Sequence, residues 1–359
     1  MDSDNDHQAR LRAIGWRTPP TPLVLEAGQR LARVIAQHRN GYRLHDGDAE
    51  TAAQPAPRFL RRSTPHEERP AVGDFVVASA HPAIIERVLE RRSVLSRAAA
   101  GERHQRQLIA ANIDSVFVLM GLDGDFNPRR IERYLLLIEG SGAKPVVVLT
   151  KIDKVENAAS EAMRAELATA IADVETHAIN AKDPASVAPL LAHLRLGDTA
   201  VLVGSSGAGK STLTNTLLGV ERQATNVVRD HDSRGRHTTT HRALIQLPSG
   251  GCLIDTPGMR EIKLTGDETL SGASFADIEE LALQCRFGDC THGNEPGCAV
   301  RAALEAGSLD QERWQAYLKL RDELTAASDA LEAQLKRKAH ARVANKALGK
   351  RLVDKYGRR

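Results

Sequence analysis

Aromatic residues are scarce in this chain of 359 residues: six Phe, two Trp and four Tyr make up only 3% of it. A surface that reads nucleic acid by stacking bases on rings is hard to build from so few, so any polyanion contact must rest on phosphates and shape. Long hydrophobic runs are missing too. The best, around Val116–Leu122 and Val146–Leu149, fall short of the roughly 18 apolar residues that span a bilayer and suit buried strands instead. The first residues carry Asp2, Asp4 and Asp6 with no apolar stretch, so no secretory signal is read there and a cytoplasmic location is expected. Four cysteines over this length do not make a disulfide framework. No internal repeat is visible.

Apolar content of 42% supports packed cores, and the length leaves room for two or three domains. The formal net charge of +3 is unevenly spread. From Lys336 to Arg359 ten Lys and Arg face a single acid, Asp354, so the rest of the chain is net acidic. A basic tail on an acidic body points to a polyanionic partner.

The pattern changes three times along the chain. Residues 1–28 are polar and punctuated by Pro19, Pro20 and Pro22, which predicts a loose tail. Residues 29–107 hold short β-like runs, Leu31–Ala36, Tyr42–Leu44, Arg58–Arg62, Phe75–Ser79 and Ala83–Val88, which predict a small β-barrel. Arg58, Arg61, Arg62, Arg91, Arg92 and Arg97 would make part of its surface basic, and barrels of this kind often bind oligonucleotides. Residues 108–270 alternate strands with helices. Ser115–Gly121 reads as a strand, and Ile131, Tyr134, Leu135 and Ile138 recur at helical spacing. Val146–Thr150 is the next strand, Ala158–Val174 a helix, Ala200–Gly204 a strand and Cys252–Thr256 the last. Such units predict a parallel sheet with helices on both faces. Residues 271–359 read as helical, with the basic tail at their end.

The chemistry sits in a few short motifs. Gly204-Ser205-Ser206-Gly207-Ala208-Gly209-Lys210-Ser211 follows an apolar strand and opens a helix that begins with Ser211 and Thr212, the context a phosphate loop requires. Its backbone N–H groups can turn onto a β-phosphate, Lys210 can neutralise β/γ charge, and the Ser211 hydroxyl can ligate Mg²⁺. Asp255-Thr256-Pro257-Gly258 lies at a strand end 44 residues after Ser211. There the carboxylate can reach Mg²⁺ through water, and the Gly258 N–H can approach a γ-phosphate. Between them, Arg234–His241 is rich in Thr, and Thr239 is the residue expected to cap Mg²⁺ and the γ-phosphate. Thr150-Lys151-Ile152-Asp153 has the form of a guanine-reading loop. Asp153 accepts from guanine N1–H and the exocyclic amine, Lys151 covers the ring, and Ala181 of Asn180-Ala181-Lys182 offers its N–H to O6. The base-reading loop precedes the phosphate loop, the reverse of the ordinary order in GTPases, so the domain is circularly permuted.

Cys285-x4-Cys290-x-His292-x5-Cys298 supplies three thiolates and an imidazole, a complete tetrahedral set for one Zn²⁺. Four protein ligands leave no open position, which makes this zinc structural. Cys252, alone in an apolar strand, reads as core.

This motif order, with a β-barrel ahead and the Cys/His module behind, resembles the circularly permuted GTPases of the ribosome small subunit-dependent GTPase A (RsgA) family over roughly residues 30–330. The resemblance implies a multidomain α/β protein: an OB-type barrel, a permuted P-loop GTPase and a zinc-binding helical domain. It implies GTP hydrolysis stimulated by the small ribosomal subunit during that subunit's late maturation, with its rRNA as partner. Two features depart from the pattern. Thr150 stands where the base-reading motif usually has Asn, and the C-terminal extension is long and basic. Met259 occupies the place where many GTPases orient water with Gln, so His237 is the expected catalytic group, a residue the resemblance also points to. Without a partner to fix it, turnover by the free protein is expected to be slow. A monomer without membrane attachment is expected. A GTP-gated RNA-binding placeholder, in which hydrolysis only times dissociation, is the alternative, and Asp153 argues against an ATP-dependent kinase.

Overall fold

The computed structural model describes residues 2–19, 22–38, 40–61, 63–98, 106–171, 174–219, 242–256 and 275–356. His237, Thr239, Gly258 and Met259 lie outside the described residues. The chain forms two compact units, one carrying the barrel and the parallel sheet, the other the Cys/His cluster and a long helix.

The barrel is built from β1 (Gln29–His38), β2 (Gly41–His45), β3 (Glu50–Pro55), β4 (Phe75–Ser79) and β5 (Ile84–Val88). Their order β1-β2-β3-β5-β4 closes on itself through β1–β4 pairing, so no edge is left among them. Ala32, Val34, Leu44, Ala53, Val76, Ala78 and Ile85 fill the interior. One expected strand falls elsewhere. Of the expected strand Arg58–Arg62, the described residues 58–61 do not form a strand; Pro57 instead opens a short helix, Pro57–Leu60, and the third strand is Glu50–Pro55. That segment has weak strand propensity and buries only Ala53, yet pairing with β2 across four positions holds it.

Residues 1–28 also differ from the loose tail expected. Asp2–Ala13 is a helix, polar on most of its surface, and Leu11 and Ile14 pack with Leu31 and Phe75 of the barrel. Two buried side chains are too few to register as a helical stripe in the sequence.

A short ladder of β6 (Val94–Ala98) and β7 (Arg106–Ala111) precedes the nucleotide-type sheet. That sheet contains β8 (Ser115–Gly121), β9 (Lys144–Thr150), β10 (Thr176–Ala178), β11 (Thr199–Gly204), β12 (Ala243–Gln246) and β13 (Cys252–Asp255), in the order β10-β9-β8-β11-β13-β12. All pairs are parallel except β12–β13. Alternation along the strands sends Val116, Val118, Met120, Val201 and Val203 to one face, under the helix Pro128–Ile138, and Phe117, Leu119, Ala200 and Leu202 to the other, under the helix Lys210–Leu218. Both faces are thus covered, as a parallel sheet demands.

Barrel and sheet are continuous: β12 pairs antiparallel with β1 at Ala243 and Ala36. Beside this seam Arg33 is wholly buried. Its guanidinium donates to the carbonyls of Gly73, Ile14 and Asn112 and to the Thr199 hydroxyl at 2.6–3.1 Å, and it lies over the Phe75 ring. Burial pushes its pKa down from the usual guanidinium range.

In the second unit, helices Ala276–Leu283 and Ala299–Glu305 flank the Cys/His segment, and one helix runs from Gln311 to Tyr356. Among the described residues no helix is long and apolar enough to cross a membrane.

Candidate nucleotide site and metal centre

In parallel sheets ligands bind beyond the carboxyl ends of the strands. The motifs collect there: β11 ends at Gly204, β9 at Thr150, β13 at Asp255, and Ile179–Lys182 continues from β10. Gly204 has φ +146 and an added Cβ would meet the Leu119 carbonyl at 2.4 Å, so only glycine lets the loop leave the strand. Gly209, at φ +93, caps the helix Lys210–Leu218, whose free N–H groups face the loop. Ser205, Ser206, Gly207 and Ala208 make the turn between them, and Ser211 and Thr212 stand half-buried in the first turn of that helix.

Lys210 is almost wholly buried and donates to the Gly204 and Ser205 carbonyls at 2.6 Å each. Burial lowers its pKa to about 8, although the Asp255 and Asp125 carboxylates pull it up. An ammonium resting on its own loop is ready to turn to phosphate oxygens. Asp255 is buried opposite Leu202 of β11, and the Thr256 hydroxyl donates to the Leu202 carbonyl at 2.6 Å, fixing the strand end.

The base-reading segment lies against this loop. The Thr150 hydroxyl, fully buried, donates to the Ala208 carbonyl at 2.8 Å. Lys151 takes a left-handed conformation, φ 64, and its ammonium pairs with Asp123. Ile152 and Asp153 enter a tight turn in which Asp153 is exposed, open to a ligand. In the neighbouring loop Asn180 Oδ1 accepts from the Lys182 N–H at 3.0 Å. The buried Ala181 accepts from the Thr216 hydroxyl of the phosphate-loop helix at 2.6 Å. The structure brings these motifs together from positions as far apart as 150 and 255.

Sequence reasoning overlooked Asp123, Asp125 and Arg130. Asp125 accepts from the Ser205 hydroxyl and pairs with Arg130 at 2.7 Å, tying the segment after β8 to the phosphate loop. The Asp125 pKa lies below the usual carboxylate range: burial opposes ionisation, but the Ser205 and Arg130 hydrogen bonds outweigh it. The signal was present, since Asp123-Gly124-Asp125 comes one residue after a buried strand's carboxyl end.

In the second unit, one donor atom from each of Cys285, Cys290, His292 and Cys298 lies within 4.8 Å of all the others. His292 Nδ1 is 3.6 Å from both the Cys285 and the Cys298 sulfur. Trp314 packs edge-on against the imidazole, at 5.7 Å between centroids, and fixes it. Burial, with Arg321 nearby, lowers the His292 pKa, which favours the neutral form a metal requires. Cys298 also caps the helix Ala299–Glu305, accepting from the Arg301 N–H. Soft sulfur donors and one neutral imidazole, converging from one short segment, fit a metal ion.

The family model described as RsgA GTPase matches residues 88–265. A small ribosomal subunit biogenesis GTPase RsgA of Xanthomonas campestris pv. campestris (strain B100) is 51% identical over 100% of both chains, and that of Xanthomonas axonopodis pv. citri (strain 306) is 53% identical, again over 100% of both. Among solved structures, YjeQ from Thermotoga maritima is 25% identical with a TM-score of 0.60, over 83% of this chain and 99% of that one. The fold is also shared with YloQ, described as a circularly permuted GTPase, at 24% identity and a TM-score of 0.57, over 84% of this chain and 96% of that one. With full-length relatives more than half identical, the chain belongs to the RsgA family of circularly permuted GTPases.

Proposed function

We propose that this protein hydrolyses GTP to GDP and phosphate in late maturation of the small ribosomal subunit, and that the subunit stimulates its turnover. Relatives named as small ribosomal subunit biogenesis GTPases support the reading. The observation that carries it is the hydrogen bond from Thr150 to Ala208, which sets a guanine-reading loop against a phosphate loop.

In this reading Asp153 selects guanine, Lys151 covers its plane and the Ala181 N–H meets O6. Lys210 turns from its loop carbonyls to the β- and γ-phosphates. Ser211, Thr239 and Asp255 would hold the Mg²⁺ that accompanies GTP, which would neutralise phosphate charge there, and the Gly258 N–H would serve the γ-phosphate. His237 orients the attacking water, a task Met259 cannot perform. The Cys/His centre holds one structural Zn²⁺, which adds folding stability to its unit. Residues 29–107 form the RNA-binding barrel, 108–270 the GTPase domain and 271–359 the zinc domain. The barrel's arginines and the basic residues after Lys336 supply the contacts to rRNA, and the protein acts as a cytoplasmic monomer.

The test is GTP turnover by the full chain alone and with purified small subunits, large subunits or free RNA. Strong stimulation by small subunits alone is expected, and its absence would refute the reading. Met259 favours slow intrinsic turnover under this reading and equally under a second, a GTP-gated placeholder on RNA, so stimulation by the subunit discriminates them. In the second case subunit release tracks hydrolysis while maturation proceeds without it.

A further inference from the structure

Short of the nucleotide edge, on the outermost strand of the parallel sheet, a second group of metal-ligating side chains converges. Glu175 immediately precedes β10 and His177 lies within it; two positions apart in extended chain, they share one face. His193 ends the tight helical turn Ala188–His193 that leads back toward β11. The Nε2 atoms of His177 and His193 each lie 2.9 Å from the same Glu175 oxygen, Oε1. Within this trio, one donor atom per residue lies within 4.8 Å of the other two. The His193 ring is 12% exposed and stands edge-on to Phe117 at 5.9 Å, so its direction is fixed by the core.

Two imidazoles aimed at one oxygen are both hydrogen bonds only if each ring carries its proton on Nε2. In the other tautomer two nitrogen lone pairs and a carboxylate face a common point. Two imidazoles and one carboxylate are a ligand set of three-ligand zinc sites, which keep a fourth position for water. The nucleotide's Mg²⁺ is not involved: Thr176 pairs with Val147 and His177 with Val148 of β9, so Glu175 stands four residues, about 13 Å of strand, before Thr150, and Ser211, the residue proposed to hold that Mg²⁺, lies on a separate helix. We propose that Glu175, His177 and His193 form a second metal site, taking Zn²⁺ or a similarly borderline divalent cation. The ion clips the start of β10 to the turn that feeds β11. Lys144, 59% exposed and 2.6 Å from Glu175 Oε2, is its built-in competitor.

The proposal is tested on the full chain carrying its Cys/His metal. Dialysis against Zn²⁺ followed by metal analysis is expected to give a second equivalent per chain. Co²⁺ added instead to protein holding zinc at the Cys/His centre alone should show visible ligand-field bands without thiolate-to-cobalt charge transfer. H177Q and H193Q should each weaken the second equivalent by more than about a hundredfold, beyond the loss of an outer-shell partner. K144Q removes no ligand and should tighten it about two- to fivefold, the weight of an exposed ion pair. Saturation at one equivalent, a second equivalent indifferent to both histidines, or charge transfer on its uptake would each overturn the proposal. If the histidine variants do not fold, the wild-type stoichiometry, the cobalt spectrum and K144Q decide it.

Discussion

Thr150→Val probes the contact that joins the two halves of the nucleotide site. Valine keeps the shape of threonine and removes the hydroxyl. The side chain is fully buried, so no cavity opens and no water replaces the lost donor to Ala208. A buried acceptor deprived of its partner costs about 1–3 kcal/mol. For a unit of this size that lowers Tm by about 2–12 °C. On the proposed reading both joined loops face the nucleotide, so part of the cost falls on binding; a share of about 1.4 kcal/mol weakens GDP tenfold, mostly through faster dissociation. Thermal melting and stopped-flow release of a fluorescent nucleotide measure the two effects. Thr150→Asn, which returns donors to the same place, should recover both. A valine variant with the parent's Tm and the parent's release rate would refute the reasoning.

Further expectations concern the base, the phosphate, the metal and the tail. Asp153→Asn should weaken GTP and favour xanthine nucleotides, whose exocyclic carbonyl suits an amide donor; unchanged base preference in competition assays removes Asp153 from the site. Lys210 has its pKa lowered by burial from 10.5 to about 8, and phosphate should restore the ammonium. Nucleotide binding should therefore take up a proton just above pH 8, and affinity should fall as pH rises from there toward 10.5. Calorimetry in buffers of different ionisation enthalpy detects that proton. Cys290→Ser should lose the Cys/His metal and unfold its unit while nucleotide binding persists, which metal analysis and circular dichroism follow. Removing residues 336–359 should leave GTP binding intact and flatten the salt dependence of RNA association, one released counterion for each lost phosphate contact.

The two centres were legible in the sequence because their geometry is local. A phosphate loop is eight consecutive residues, and the Cys/His ligands lie within fourteen positions, so spacing alone dictates what each backbone can present. The hydrogen bonds from Thr150 to Ala208 and from Ser205 to Asp125 join residues 58 and 80 positions apart, and no local pattern encodes them. The barrel was readable where β-branched and aromatic residues mark its strands. It was misread at Glu50–Pro55, where pairing with β2 overrides composition. The helix Asp2–Ala13 escaped notice because its stability comes from packing on the barrel through Leu11 and Ile14.

The buried guanidinium of Arg33 makes barrel and sheet a single cooperative body. Pulling them apart would strip the cation of its two sheet-side acceptors, Asn112 and Thr199, while the other two stay with the barrel, so opening the seam leaves a half-satisfied buried charge. There is no cheap intermediate in which the barrel swings while the sheet stays put. One of those acceptors, Thr199, begins the strand that ends in the phosphate loop. A load placed on the barrel by whatever it grips therefore arrives at the root of that strand undamped, and the barrel works as a rigid handle.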